Sequence, residues 1–478
     1  MKKAVFALSL CLALGCVSHE ARSTEHAFAV GFGRRDITPA LGIPIGGYGA
    51  YRFATKVLDP LEAVAVAFSD GTRTAVVCAV DNLHLNDPTI ATAKTAFAAA
   101  TGLPEDALFL HSTHSHMSGE TNLAAFNPKK SPERYAAVKA YHDLVVARVA
   151  EACAAAVADL APAALSCART EVDRVTFCRR YLMKDGKVHT NPGVGNPEIV
   201  KCVRAADRQV QLLRIDRKGA PAIAVVNFQT HPDVIGGDNI SGDWPAILRR
   251  QLETSLPDVK CLFVNGAQGD VNHICVDPKP GETNGMHDDE DCPRGYDRAF
   301  VIGRKLAGAV LGVWGECVPL EAGEVRFGQK QLRIPTNKVT PEELAEAKRL
   351  IALVRAGKRD QIPYKAMEYT TVMAGAHRKV SLEHAADSFE MPVSAVVIGR
   401  AVAFCGFPGE PFNAIGEATK AKSPFALTMP ACLTNGSRSY FPSAEAFAGG
   451  GYEAAQSRFS PDVERALVDG QLSLIESL

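Results

Sequence analysis

The sequence lacks an excess of charge of either sign. Lysine and arginine total 52 against 53 acidic residues, and no block of like charges runs along the chain. The electrostatic footprint that nucleic acid requires is therefore missing, and no nucleic-acid partner is expected. Long apolar runs are missing too: crossing a bilayer takes about 20 apolar residues, and the stretch from Ala4 to Leu14 is too short. There is no CxxC pair, so the 13 cysteines give no zinc-ribbon or thioredoxin-type signal. Internal repeats, low-complexity tracts and Ser/Gly linkers are also absent.

What is present begins with Lys2 and Lys3, the apolar stretch to Leu14, Gly15-Cys16, and then polar Ser18-His19-Glu20. That order is signal-peptide architecture. Residues 1–15 are expected to be a signal peptide and the chain to be exported. Ala13-x-Gly15-Cys16 is similar to a bacterial lipoprotein acceptor, although Leu14 is a less usual neighbour. A lipidated Cys16 would tether a periplasmic protein to a membrane; ordinary cleavage would leave it soluble. With 478 residues, 47% hydrophobic and 22% charged, residues 16–478 are long and apolar enough for a sizeable core and are expected to form a single domain. Cysteines in an exported chain suggest disulfides. Cys78, Cys261 and Cys405 lie in apolar runs and read as small buried side chains, whereas Cys275 and Cys292 bracket a polar loop and are the expected pair.

Short β-branched runs recur: AFAVGF, LEAVAVAF, RTAVVCAV, ALFLHS, QVQLLRI, AIAVVNF, KCLFVN, SAVVIG and AVAFCGF. They read as strands, several buried on both faces. Helical spacing covers Pro132–Leu160, Trp244–Leu256 after an Asp243 cap, Arg294–Trp314, Pro341–Ala356 and Pro461–Ser477. Strands mixed with helices in this order predict an α/β (α+β) layered fold, with mixed β-sheets flanked by helices. The one compositional break is the polar segment Asp277 to Asp297. It reads as a solvated surface loop, a lid, or a cation-binding insertion with room for a structural Ca2+ or Mg2+.

Four apolar runs end in chemistry-bearing residues. ALFL leads into His111, His114 and His116; AIAVVNFQ into His231-Pro232-Asp233; CLFVNGAQ into Gly269-Asp270-Val271-Asn272; and AVAFCGFPG into Glu410. Sites in layered α/β proteins gather beyond the carboxyl ends of strands, so the four tips are expected to meet at one crevice. His114 and His116 lie two apart and face one side of an extended chain. With His231 and Glu410 there are enough nitrogen and carboxylate ligands for a zinc ion that keeps an open position.

GFGRRDITP, STHSHMSG, CRRY, NFQTHP with SGDWP, NGAQGDVN and GFPGEPF resemble, at spaced points across nearly the whole exported region, the neutral, non-lysosomal ceramidase family. The resemblance implies one zinc held by His114, His231, Glu410 and, within NGSRSYFPSAEAFAGGGYEAA, Tyr440. It implies a catalytic His116, a substrate-facing Tyr452 and an arginine at Arg179, which spacing alone does not separate from Arg180. His116 would take and return the proton, and Tyr452 and Arg179 would hold the tetrahedral oxyanion. Asp270 and Asn272 are expected to brace the metal loops.

The sequence departs from the family in three places. Aligned through Gly269-Asp270, Gly266 stands where the family is expected to carry a serine, so a covalent serine route is closed there and metal-activated water is expected to attack. Only 26 residues follow Tyr452 and they read as one helix, so the family's additional β-sandwich is expected to be missing. The polar segment 277–297 would make the rim less suited to a long acyl chain. The expected function is hydrolysis of an amide in a small-molecule or lipid substrate. Cleavage of an ester, lactone or N-acetyl sugar by the same zinc is a second reading, and a non-catalytic metal- or glycan-binding lipoprotein is a third.

Overall fold

The computed structural model describes residues 28–48, 50–284 and 294–478. The expected signal peptide, the lipidation of Cys16 and the cysteine partner Cys292 lie outside the described residues. Cys275 itself is buried, with its sulfur 3.3 Å from the Arg174 guanidinium.

All nine β-branched runs form strands. Eight strands make a continuous mixed sheet in the order Val259–Asn265, Ala222–Phe228, Gln209–Arg217, Ala161–Glu171, Ala29–Asp36, Glu62–Ser69, Thr74–Val80, Leu108–Ser112, and a ninth, Val318–Leu320, pairs with Ala161–Glu171. A second sheet has four strands in the order Val325–Pro335, Ser388–Ile398, Val402–Gly406, Leu427–Ala431. The two sheets pack face to face through Val64, Phe68, Phe109, Leu213 and Val225 on one side and Val396, Phe404, Leu427 and Met429 on the other. Helices cover both outer faces. Pro132–Ala158 and Asp87–Thr101 pack on one half of the larger sheet, and Asp243–Ser255 and Tyr296–Val313 on the other. Asn413–Lys422 and Val463–Ser477 cover the smaller sheet. Strands such as TAVVCAV and AIAVVNF lie between a helix layer and the opposing sheet, which is why they read as unbroken apolar runs and not as alternating patterns.

The layered α/β expectation holds. Among the described residues, no helix is long and apolar enough to cross a membrane. One local expectation is corrected. Asp243 does not cap its helix: Gly242 occupies that position, and Asp243 sits at φ 55 with its carboxylate accepting N–H groups from Val234, Ile235 and Trp244. It anchors the chain leaving His231 to the start of the helix.

The site is positioned by where the parallel pairs end. Thr74–Val80 runs parallel to Leu108–Ser112, Ala222–Phe228 to Val259–Asn265, and Val402–Gly406 to Leu427–Ala431. These strands finish at the same edge of the sandwich, where the two sheets are tied together by Cys432 N–H donating to Asn265 O at 3.0 Å.

Candidate metal centre

His111 joins the two sheets and holds no ligand. Its Nδ1 lies 2.6 Å from Cys432 O and its Nε2 accepts the Asn265 N–H at 3.0 Å. Burial pushes it down to about 4, so it is a neutral structural histidine. Two residues after the strand the chain enters the left-handed region at His114, φ 75, and its N–H donates to Asn82 O. That turn brings His114 and His116 together, with their Nε2 atoms 3.2 Å apart.

His114 Nδ1 lies 2.8 Å from Leu83 O, and His231 Nδ1 lies 2.9 Å from Gln268 O and 3.0 Å from Val271 O. A carbonyl only accepts, so both Nδ1 atoms carry the proton and both Nε2 atoms face the centre. The Glu410 Oε2 atom sits 3.4 Å from His114 Nε2 and 3.2 Å from His231 Nε2, and it also accepts from Gln268 Nε2 at 3.2 Å. On neutral rings these would be lone pairs pointed at a carboxylate oxygen, an arrangement that a cation among them would satisfy. Among the described residues, His114, His116 and His231 form the one group of three or more metal-binding side chains, with ligand atoms within 4.8 Å of one another. The donor set of imidazole nitrogen and carboxylate oxygen suits a transition metal.

The electrostatics agree with an anionic carboxylate among imidazoles. Burial would raise Glu410, but His114 and then His231 overcome it and hold the carboxyl well below its usual range. Burial lowers His114, yet Glu410 more than offsets this and the net shift is upward. His231 stays low, because burial is joined there by the Arg179 guanidinium. Burial and then His114 hold His116 well below the ordinary imidazole value. Its Nδ1 is buried with no hydrogen-bond partner.

Tyr440 closes the far side. Its hydroxyl lies 3.5 Å from His231 Nε2 and accepts from Arg179 Nη2 at 3.2 Å. Tyr452 follows with its ring 5.8 Å from that of Tyr440, and its hydroxyl accepts from Gln456. The two arginines share Glu453 but differ in their other partners. Arg179 reaches Tyr440 and Gly269 O, while Arg180 turns to Ala446 O and lies over the Phe412 ring.

The remaining expected residues stand behind the cluster. Asp270 accepts the Asn413 N–H at 2.7 Å, and its carbonyl accepts from Arg179 N, so it fixes the turn after Glu410 and the arginine strand together. Asn272 donates to Asn191 Oδ1 at 3.2 Å. At Gly266, a Cβ would meet Gln229 Oε1 at 2.9 Å, and its nearest neighbours all belong to Gln229 and Phe228.

Glu453, His273, Tyr48 and Gly47 escaped the sequence reading, whereas Asp233 stood in one of its four strand-tip segments. Glu453 is fully buried and accepts from Arg179 Nε at 2.7 Å, Arg180 Nη1 at 3.2 Å and Thr190 Oγ1 at 2.8 Å. Asp233 pairs with His273 Nδ1 at 3.3 Å, and burial, which alone would raise it, yields to His273 and the site histidines, so its carboxyl lies below the usual range. Tyr48 sets its ring 5.1 Å from that of His116 and under the Arg52 guanidinium. Beside it, Gly47 adopts φ +96, and a Cβ there would stand 2.7 Å from His116 Nδ1. The GGYGAY string was a legible glycine-rich loop; nothing in it indicated which histidine it covers. A groove of about 850 Å³ between the helices Pro341–Arg355 and Ala366–Ser381 and the segment after Phe447 is lined by none of the cluster residues.

No protein-family model and no curated protein sequence matches the chain. Among solved structures, the neutral ceramidase from Pseudomonas aeruginosa superposes with a TM-score of 0.67 at 18% identity, covering 95% of this chain and 75% of that one. A ceramidase complexed with C2 gives a TM-score of 0.67 at 16% identity, covering 95% and 76%. At this identity the likeness establishes a ceramidase-like fold.

Proposed function

We propose that the protein is an exported, zinc-dependent hydrolase of amide bonds. The observation that supports it most directly is the convergence of His114 Nε2, His231 Nε2 and Glu410 Oε2, with Tyr440 at their edge, on one point that could hold a cation. A zinc ion held by these four residues would polarise a scissile carbonyl and bring the pKa of a water to about 7. His116, neutral and with its Nε2 turned toward the cluster, takes the proton from the attacking water and returns it to the leaving amine. In this reading Arg179, buried beside Tyr440, and Tyr452 hold the negative charge that develops, and burial of Arg179 strengthens its interaction with that charge. Backbone carbonyls of Leu83, Gln268 and Val271 fix the two ligand rings in one tautomer, so the acceptor geometry is set before substrate arrives.

Polar side chains stand close to the cluster, with Tyr48 against His116 under Arg52, and Asp233, two residues after His231, paired with His273. This favours short or polar N-acyl substrates over long-chain ceramide. The test is metal analysis of the purified protein together with hydrolysis of N-acyl substrates of graded chain length, before and after chelation and zinc restoration. About one zinc per chain and chelator-sensitive amide cleavage are expected. A metal-free active protein, or a metalloprotein that cleaves esters but no amide, overturns the proposal. Long-chain ceramide as the best substrate by a wide margin overturns the specificity alone.

A further inference from the structure

We propose that Cys178 and Cys202 are a redox pair whose disulfide locks the strand carrying Arg179. Cys178 belongs to the short strand Phe177–Cys178, which pairs with Val271–Asn272, and Cys202 ends the strand Ile199–Cys202, which pairs across Tyr181. The two sulfurs converge on one atom: Arg180 O lies 3.9 Å from Cys178 Sγ and 3.7 Å from Cys202 Sγ. Cys202 Sγ is also 3.7 Å from Cys178 O.

The two cysteines differ in the way that thiol–disulfide exchange needs. Cys202 is exposed and Cys178 is buried. The Cys178 hydrogen bond, and after it the Arg204 and Val203 backbone against an opposing burial effect, push the Cys202 thiol down to about 7. The same contact pushes Cys178 up. Cys202 is thus the accessible thiol that attacks first and Cys178 the resolving partner. With a small disulfide such as oxidised glutathione as the oxidant, the Cys202 thiolate attacks one sulfur and one glutathione thiolate leaves. Cys178 gives up its proton and attacks Cys202 Sγ, the new bond forms, and the second glutathione thiolate leaves. Two protein thiols lose two electrons and two protons, and one glutathione disulfide becomes two thiols.

The place of the bond gives it a consequence. Cys178 directly precedes Arg179, whose guanidinium holds Tyr440, and it faces Val271, whose carbonyl fixes His231 Nδ1. A cross-link there joins an exposed strand to the backbone beneath the cluster and limits how far that backbone shifts.

The experiment uses the full chain equilibrated with oxidised or reduced glutathione, alkylated, digested without reduction and analysed by mass spectrometry. Thermal midpoints of both forms are recorded alongside. Expected is a Cys178–Cys202 linked peptide, lighter by two hydrogens than the sum of its parts, that disappears on reduction. The midpoint rises on oxidation in the parent and not in Cys202→Ser, which removes an exposed side chain and leaves the core intact. The proposal is overturned if both cysteines are fully alkylated in the oxidised sample, if Cys202 stops at the glutathione adduct, or if Cys178 is linked to another cysteine. It is also overturned if Cys202→Ser shows the same rise as the parent.

Discussion

Replacing Glu453 by glutamine tests whether the arginine side of the centre is held by charge or only by shape. The carboxylate is fully buried and shared by two guanidiniums that are themselves almost fully buried. Burial alone would raise Glu453, but Arg179 and Arg180 overcome it and keep it ionised. Glutamine has the same size, so no cavity forms; its NH2 group, however, faces a donor, and two cations lose their counter-charge. Breaking a buried ion pair by removing one partner costs about 3–5 kcal/mol. At about 2.1 cal/mol/K per residue, the 478 residues unfold with an entropy of about 1 kcal/mol/K, so the expected fall in the thermal midpoint is about 3–5 °C. Scanning calorimetry of Glu453→Gln, Arg180→Met and the double variant separates charge from packing. The double variant is expected to be less destabilised than the sum of the single ones, because the orphaned cation is gone. A midpoint within about 1 °C of the parent for Glu453→Gln, or simple additivity, would refute the claim that this carboxylate compensates both arginines.

His114→Ala and His231→Ala are each expected to lose bound metal, read by elemental analysis, and full retention in either would remove it from the ligand set. His116→Ala is expected to keep the metal and lose about 100-fold to 10,000-fold in amide turnover; unchanged turnover would assign the proton transfer elsewhere. Gly47→Ala places a Cβ against His116 at a left-handed backbone position, so turnover is expected to fall together with a stability loss of about 1–2 kcal/mol; a wild-type rate and midpoint would show that the loop yields freely. Burial, against its backbone hydrogen bonds, pushes the Asp243 carboxyl up to about 7, above an unfolded value near 3.9. Its proton therefore stabilises the fold fully below about pH 4, and this contribution is lost as pH rises through about 7. Asp243→Asn is expected to flatten that part of the stability profile in denaturant titrations, and an unchanged slope would locate the titration in another group.

The sequence was most legible where a strand is buried on both faces, because AVVCAV, AIAVVNF and AVAFCGF have no other reading than an interior strand. It was least legible where burial is one-sided. Ala161–Glu171 and Val325–Pro335 are long strands with mixed exposure along their length, and neither presents an apolar run; each was recognisable only by period-two alternation. The helix Asp87–Thr101 was hidden by its small, alanine-rich face, although Asn86 caps it by accepting the Thr89 N–H. At the site, His114, His116, His231 and Glu410 announced themselves by standing directly after strands. Glu453, His273 and Gly47 did not, since each acts through a partner more than 25 residues away in sequence, on Arg179, Asp233 and His116 respectively.

The centre divides into two halves of different mechanical character, and the division bears on specificity. His114, His231 and Glu410 leave strand ends of the two packed sheets, and the two imidazole rings are pinned by main-chain carbonyls; this half leaves little room for variation. Tyr48 and Tyr452 instead follow glycines, Gly47 at φ +96 and Gly450 and Gly451 at φ 76 and 94. Neither ring is fully buried. Tyr48 stands against His116 and Tyr452 beside Tyr440, so these two segments border the cluster without contributing to the His114, His231 and Glu410 contacts. Loops placed in this way on a rigid scaffold are where sequence can vary without disturbing the side chains that leave the sheets.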